Sequence, residues 1–256
     1  MNISFNALWI FLLVLFRLSG LIAVAPFFSS QMINNRIKAG MLIILAGFLA
    51  TTLPMNHPLP AFGPMLFALC GELVAGLVMG FGFHIALCAA EMAGEIAGLQ
   101  MGLGAASLID PNSGQSAAVM GNIYSMAFTV LFLLLDGHHH MLRILRDSYA
   151  TVPAESISIR PPSIEMVMAQ GTDALSCGLR LATPVLGPLM LLTVALSLIS
   201  RAFPQANIYS VSYGVSMLLG FSLLAMSVPS MREAASDSLQ QADRFAVQLL
   251  RSLGGA

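Results

Sequence analysis

An all-α, polytopic membrane-complex protein, with about six apolar helical segments folded back in hairpins, follows from three observations. First, 57% of the 256 residues are apolar and 9% are charged. The mean hydropathy is +0.83, too high for a soluble domain of this length. Second, charge-free stretches run from Ala39 to Gly71, Pro111 to Leu135, Leu181 to Ser200 and Ala202 to Met231. Each is long enough for the roughly 20 residues a spanning helix needs. Third, every fourth residue is small at Ala86, Ala90, Gly94, Gly98, Gly102 and Ala106. Helices in a membrane gain little from hydrophobicity and associate where small residues let their backbones approach.

The first segment covers about Asn6 to Phe28 and carries one charge, Arg17. No basic residue precedes it and Trp9 to Phe28 exceeds a typical signal-peptide core, so it is expected to persist as a mature helix. A polar connection with Arg36 and Lys38 leads to a second segment, about Ala39 to Leu53. Pro54, Pro58 and Pro60 end it, because proline lacks the amide the helix needs and biases the preceding residue to extended backbone. From Met65 an apolar pattern holding Glu72 and His84 runs into the small-residue zipper, too long for one simple span. The zipper then enters Ser107-Leu-Ile-Asp-Pro-Asn-Ser-Gly-Gln-Ser116, whose turn residues break the helix. Irregular backbone at membrane depth is tolerated only where protein buries it or a watery cavity adjoins it.

Ala117 to Leu135 predicts a further helix, and Asp136-Gly-His-His-His140 a polar interruption before it resumes to about Tyr149. Three prolines between Thr151 and Pro162 mark a linker. Ser163 to Arg180 is of moderate polarity, and Leu181 to Ser200 and Ile208 to Val228 form a final pair expected to pack antiparallel across a short connection. From Met231, apolar positions at Ala235, Leu239, Ala242, Ala246, Leu249 and Leu253 form one helical stripe opposite Glu233, Asp237, Gln241, Asp243 and Arg251. Such a tail suits a partner better than a lipid surface, which favours basic polar faces. The chain thus divides at 1–150, 151–162, 163–230 and 231–256.

A net charge of −1 provides no basic footprint for nucleic acid. Cys70, Cys88 and Cys177 lie in apolar surroundings without metal-like spacing. The buried polar candidates are Arg17, Glu72, His84, Glu91 and Glu95, since charges in apolar stretches must face protein or water. They suit either pairing between helices, Arg17 with one of the glutamates, or a proton or ion path. The latter would make the chain an ion- or proton-coupled small-molecule transporter, but no inverted repeat with matching broken segments supports it. His138, His139 and His140 would point three ways on a helix and converge on a metal only in a loop. Ser116 lacks a nucleophile-elbow pattern, and no phosphate-binding or zinc-protease motif occurs. The residues predict no catalytic site, cofactor or metal. Met101 and Met120 are the methionines of interest, because they flank the polar break.

Five stretches resemble a known family. They are Phe16-Arg-Leu-Ser-Gly-Leu21 with Ala25-Pro-Phe-Phe-Ser29, Gly98-Leu-Gln-Met-Gly-Leu-Gly104, the break Ser107 to Ser116, Leu135-Asp-Gly-His-His139 and Ser200-Arg-Ala-Phe-Pro-Gln-Ala-Asn-Ile208. Together, in order over about residues 10–230, they are similar to the flagellar biosynthetic FliR family, the counterpart of the injectisome T component. Asp136, Gly137, His138, His139, Pro204, Gln205 and Asn207 are the family-motif positions, and the Asp-Gly-His-His run leans towards the flagellar branch.

The resemblance implies a non-enzymatic export-gate subunit of type III secretion in the bacterial inner membrane, at the flagellar basal body. Such proteins look like a P-like part followed by a Q-like hairpin. They assemble with P and Q subunits into a closed helical pore that a B subunit contacts and unfolded flagellar substrates traverse. Raised above the bilayer, their apolar helices bury against neighbours, which would account for Arg17 and Glu72 without a proton path. The family's pore plug carries over onto Ala105, Ala106, Ser107, Leu108, Ile109, Asp110, Pro111, Asn112, Ser113, Gly114, Gln115 and Ser116. Leu108 and Ile109 stand where some relatives have a bulkier aromatic.

Overall fold

The computed structural model describes residues 5–26, 28, 34–53, 62–103, 118–152, 164–203 and 208–254. Among them lie eight α-helices: α1 (Phe5–Val24), α2 (Asn35–Ala50), α3 (Phe62–Gln100), α4 (Ala118–Leu134), α5 (Gly137–Thr151), α6 (Ile164–Ala202), α7 (Ile208–Met226) and α8 (Val228–Gly254). Six are strongly apolar, while α5 and α8 are amphipathic. Phe5–Val24, Gly63–Gln100 and Met168–Ala202 are long and apolar enough to cross a membrane. Two further candidate spans are pairs of helices broken at short interruptions, α4 with α5 and α7 with α8. The chain is an all-α polytopic membrane protein.

The apolar run holding Glu72 and His84 joins the zipper in a single helix, α3, of 39 residues. At 1.5 Å per residue that is about 58 Å, nearly twice a hydrocarbon core of roughly 30 Å. The moderately polar stretch from Ser163 likewise fuses with Leu181 to Ser200 as α6, which carries Pro184 and Pro188 inside it. Each proline leaves one carbonyl of the preceding turn without its helical donor.

Two compact units arise, and they interleave along the chain. One comprises residues 1–85, 136–170 and 239–256, the other 86–135 and 171–238. In the first, α1 and α3 touch backbone to backbone: a Cβ on Gly20 would overlap the Leu73 carbonyl, and one on Gly76 the Arg17 carbonyl. Trp9, Leu13, Leu18, Met79 and Phe83 fill this core. Gly76 and Gly80, four residues apart on α3, form a second small-residue face, set against α1.

In the second unit, Ala90, Ala93 and Ala97 of α3 and Met101 just after it meet Met120, Tyr124 and Phe128 of α4 and Leu181, Val185 and Leu189 of α6. Leu219 and Leu223 of α7 and Met231 and Ala235 of α8 complete the cluster. Gly94 makes the closest backbone approach in this unit, where a Cβ would overlap the Met120 carbonyl. Ala90, Gly94 and Gly98 are buried as the zipper requires, and Ala86 is half-buried.

Gly102 combines close packing, a Cβ there overlapping the Tyr213 ring, with the end of the helix, at φ +82°. The Leu103 amide donates to the Gly98 carbonyl (3.0 Å) and the Gly102 amide to Leu99 (3.1 Å), the paired bonds of a Schellman cap. Ala106 lies outside the described residues.

The tail departs from the expectation. Instead of presenting its stripe to a partner or a membrane, α8 buries Ala235, Leu239, Ala242 and Ala246 against its own chain, together with Phe245. Within the first unit, Phe245 and Ala242 lie over Gly82, where a Cβ would stand 3.1 Å from the Phe245 ring.

Candidate functional site

Arg17 and Glu72 are both completely buried. Arg17 Nε and Nη2 grip the Glu72 carboxylate in a fork, the second at 3.0 Å. Nη1 donates to Ser148 Oγ at 2.9 Å, and both terminal nitrogens donate to the Val152 carbonyl at 3.3 and 3.2 Å. The guanidinium also lies 4.0 Å over the Tyr149 ring. A guanidinium has five N–H groups, and here each has an acceptor. The resulting ion pair is neutral as a unit, so the cost of burying two charges is offset by full hydrogen bonding. It joins α1, α3 and the end of α5, immediately before the proline-rich stretch. Ser148, Tyr149 and Val152 went unnoticed in the sequence, because one is a small polar residue, one an ordinary core aromatic and one acts through its backbone.

The remaining buried polar candidates behave differently. Glu91 and Glu95 are exposed, not buried. They lie one turn apart on the rim of the zipper, and only their stems pack, against Gly121 of α4. His84 is half-buried, and its Nδ1 is enclosed with no hydrogen-bond partner among the described residues. Cys70 and Cys88 are exposed.

The Asp-Gly-His-His motif sits at the break between α4 and α5. Asp136 adopts a left-handed conformation (φ 57°, ψ 28°) and is the N-cap of α5 without a capping bond from its side chain. Its carbonyl accepts the His139 and His140 amides at 2.8 and 3.1 Å. Its carboxylate lies 3.1 Å from His139 Nδ1. His140 points elsewhere, to Asp243 of α8 at 3.2 Å. The three histidines therefore do not act together, as helical geometry predicts. Asp136 is not helical, however, and its carboxylate does come together with His138 and His139.

The segment expected to act as a plug, Ala105 to Ser116, lies outside the described residues, as do Pro204, Gln205 and Asn207. Its two stems are described. Met101 and Met120 are each 1% exposed and belong to one core cluster. A Cβ on Gly102 would overlap the Tyr213 ring, and one on Gly220 would stand 2.6 Å from Met101.

Long apolar helices packed through glycine, with one internally neutralised ion pair, are the build of a helical membrane protein. Residues 8–242 match the model of the family described as "Bacterial export proteins, family 1". The chain belongs to this family of bacterial export proteins, among whose members are the FliR proteins. It is 32% identical over 216 residues to the flagellar biosynthetic protein FliR of Escherichia coli K12, covering 84% of this chain and 82% of that protein. Identity to FliR of Pectobacterium carotovorum is 31% over 214 residues, covering 83% and 82%. The surface presentation of antigens protein SpaR of Shigella flexneri is 28% identical over 231 residues, covering 88% and 89%. The chain is thus a membrane component of the type III export apparatus.

Proposed function

We propose that this chain is a non-enzymatic export-gate subunit, and that residues 105–116 plug the pore until an unfolded flagellar substrate passes. The observation that carries this reading is the framing of the polar break. Met101 on one side and Met120 on the other are buried in the core cluster of the second unit, and a Cβ on Gly102 would overlap the Tyr213 ring. Turn-rich sequence between two buried stems supports the reading of residues 105–116 as the plug. Asp110, Pro111, Asn112, Ser113 and Gly114 supply the turn chemistry, and Leu108 and Ile109 the apolar tip.

In the assembled apparatus, the P and Q subunits complete the pore and the B subunit contacts it. The complex lies in the inner membrane at the flagellar basal body. Residues 1–150 act as the P-like part, 151–162 as a linker, 163–230 as the Q-like hairpin and 231–256 as a tail. Asp136, Gly137, His138, His139, Pro204, Gln205 and Asn207 are its family-motif positions. The energy for export comes from other parts of the machine. The zipper residues Ala86, Ala90, Gly94 and Gly98 act as packing surface behind the gate.

Deleting Leu108 to Gly114 tests the assignment. The complex should still assemble, and the inner membrane should leak small ions while flagellar export is altered. A complex that assembles while the membrane stays tight would show that the break is only a turn. Replacing Glu91 and Glu95 together by glutamine separates gate from relay. Lost assembly is expected of a packing role, whereas intact assembly with lost export would favour proton transfer through His84, Glu91 and Glu95.

A further inference from the structure

We infer that the turn between α4 and α5 is a divalent-metal site, with Asp136, His138 and His139 as ligands for a late first-row cation of the Zn²⁺ class. One ligand atom from each residue lies within 4.8 Å of the other two. His138 and His139 open α5 with their rings stacked at a tilt, centroids 4.2 Å apart, and Asp136 reaches them from outside the helix, in a left-handed conformation. Among the described residues it alone, glycines apart, has a positive φ.

Two further features favour a ligand over a simple cap. An N-cap aspartate ordinarily uses its carboxylate to accept an amide of the first turn. Here the Asp136 carbonyl takes the His139 and His140 amides, and the side chain makes no capping bond. The carboxylate is turned towards the imidazoles instead, 3.1 Å from His139 Nδ1. His138, whose ring centroid lies 4.2 Å from that of His139, has an Nδ1 that is enclosed and unpartnered among the described residues.

The donor set selects the metal. Two imidazoles and one carboxylate suit Zn²⁺, Ni²⁺ or Cu²⁺, whereas Mg²⁺ and Ca²⁺ require oxygen ligands. Metal–ligand bonds of about 2.0–2.1 Å bring two donors on one ion to within about 4.2 Å, so a small closure is needed. The side chains of Asp136 and His139 are 70% and 63% exposed and free to make it. Open positions remain for water. The positive end of α5 opposes the cation and moderates the affinity. Bound metal would pin the left-handed turn and the start of α5.

The export complex containing this chain, purified through a tag without histidine and stripped with chelator, is titrated with Zn²⁺ by calorimetry. Ligand-field bands of Co²⁺ provide a second readout. One saturable ion per copy of this chain is expected. Losing a direct ligand in Asp136→Asn or His139→Gln should weaken it at least as much as the roughly 10–100-fold cost of losing an outer partner. His140→Gln should leave it unchanged. His139 is exposed, so its variant tests the ligand without threatening the fold. Absence of that saturable ion, or an unchanged isotherm in His139→Gln, would overturn the assignment.

Discussion

Arg17 has every donor occupied, and that makes its neighbourhood intolerant of half measures. Removing one partner of a buried, hydrogen-bonded ion pair leaves an uncompensated charge and costs about 3–5 kcal/mol, whereas replacing both by apolar residues can be nearly neutral. Arg17→Leu and Glu72→Gln should each destabilise the detergent-purified chain strongly, and Arg17→Leu with Glu72→Leu should recover much of the loss. Trp9, the single tryptophan and fully buried on α1, reports the unfolding by fluorescence. A double variant as unstable as the singles would mean that the Ser148 and Val152 bonds matter more than charge balance. Gly102 is constrained for another reason. Its positive φ strains any side chain, so Gly102→Ala should cost more than about 1 kcal/mol, seen as a lower melting temperature and reduced recovery of the export complex.

At the scale of elements, α8 gives the clearest expectation. Its C-terminal half is held by Ala242, Phe245 and Ala246 against the first unit, while Glu233, Asp237 and Gln241 face outward. The His140–Asp243 contact is half-exposed and worth no more than about 1 kcal/mol. Phe245→Ala removes a buried aromatic ring, worth about 3–5 kcal/mol in a protein core. It should open residues 239–254 to limited proteolysis, whereas His140→Ala should not. Equal resistance in both variants would show that the tail is held by something other than this stripe. The stripe itself was legible from its spacing. Its partner was not, because an amphipathic period says only that one face seeks cover.

Across the whole molecule, large apolar side chains remain exposed on several helices. They include Ile43, Ile44 and Phe48 on α2, Leu191 and Leu198 on α6 and Leu218 on α7. Only Ala46 of α2 is buried within the chain. Surfaces of this kind mark contact with lipid or protein. Ile44→Asp and Leu191→Asp should leave Trp9 fluorescence of the detergent-purified chain unchanged. They should reduce membrane insertion or complex recovery, since an aspartate at a lipid-facing helix centre costs about 2.5–3.5 kcal/mol on insertion scales. A wild-type level of assembled complex in both would show that these faces stay wet.

Composition and local pattern determined the helical membrane class and the break at Asp136. Each of these is set by short-range backbone chemistry or by the length of an apolar run, and both are written into neighbouring residues. Long-range choices needed the folded chain. Arg17 finds Ser148 and Val152 at separations of 131 and 135 residues, and no local pattern encodes that meeting. Glu91 and Glu95 share a helix with Glu72, yet they are exposed while Glu72 is buried. Which face of α3 meets α1 or α4 is settled by where glycines let backbones touch. Periodicity defines such faces but does not assign their partners, so only packing could decide which charges are neutralised and which remain exposed.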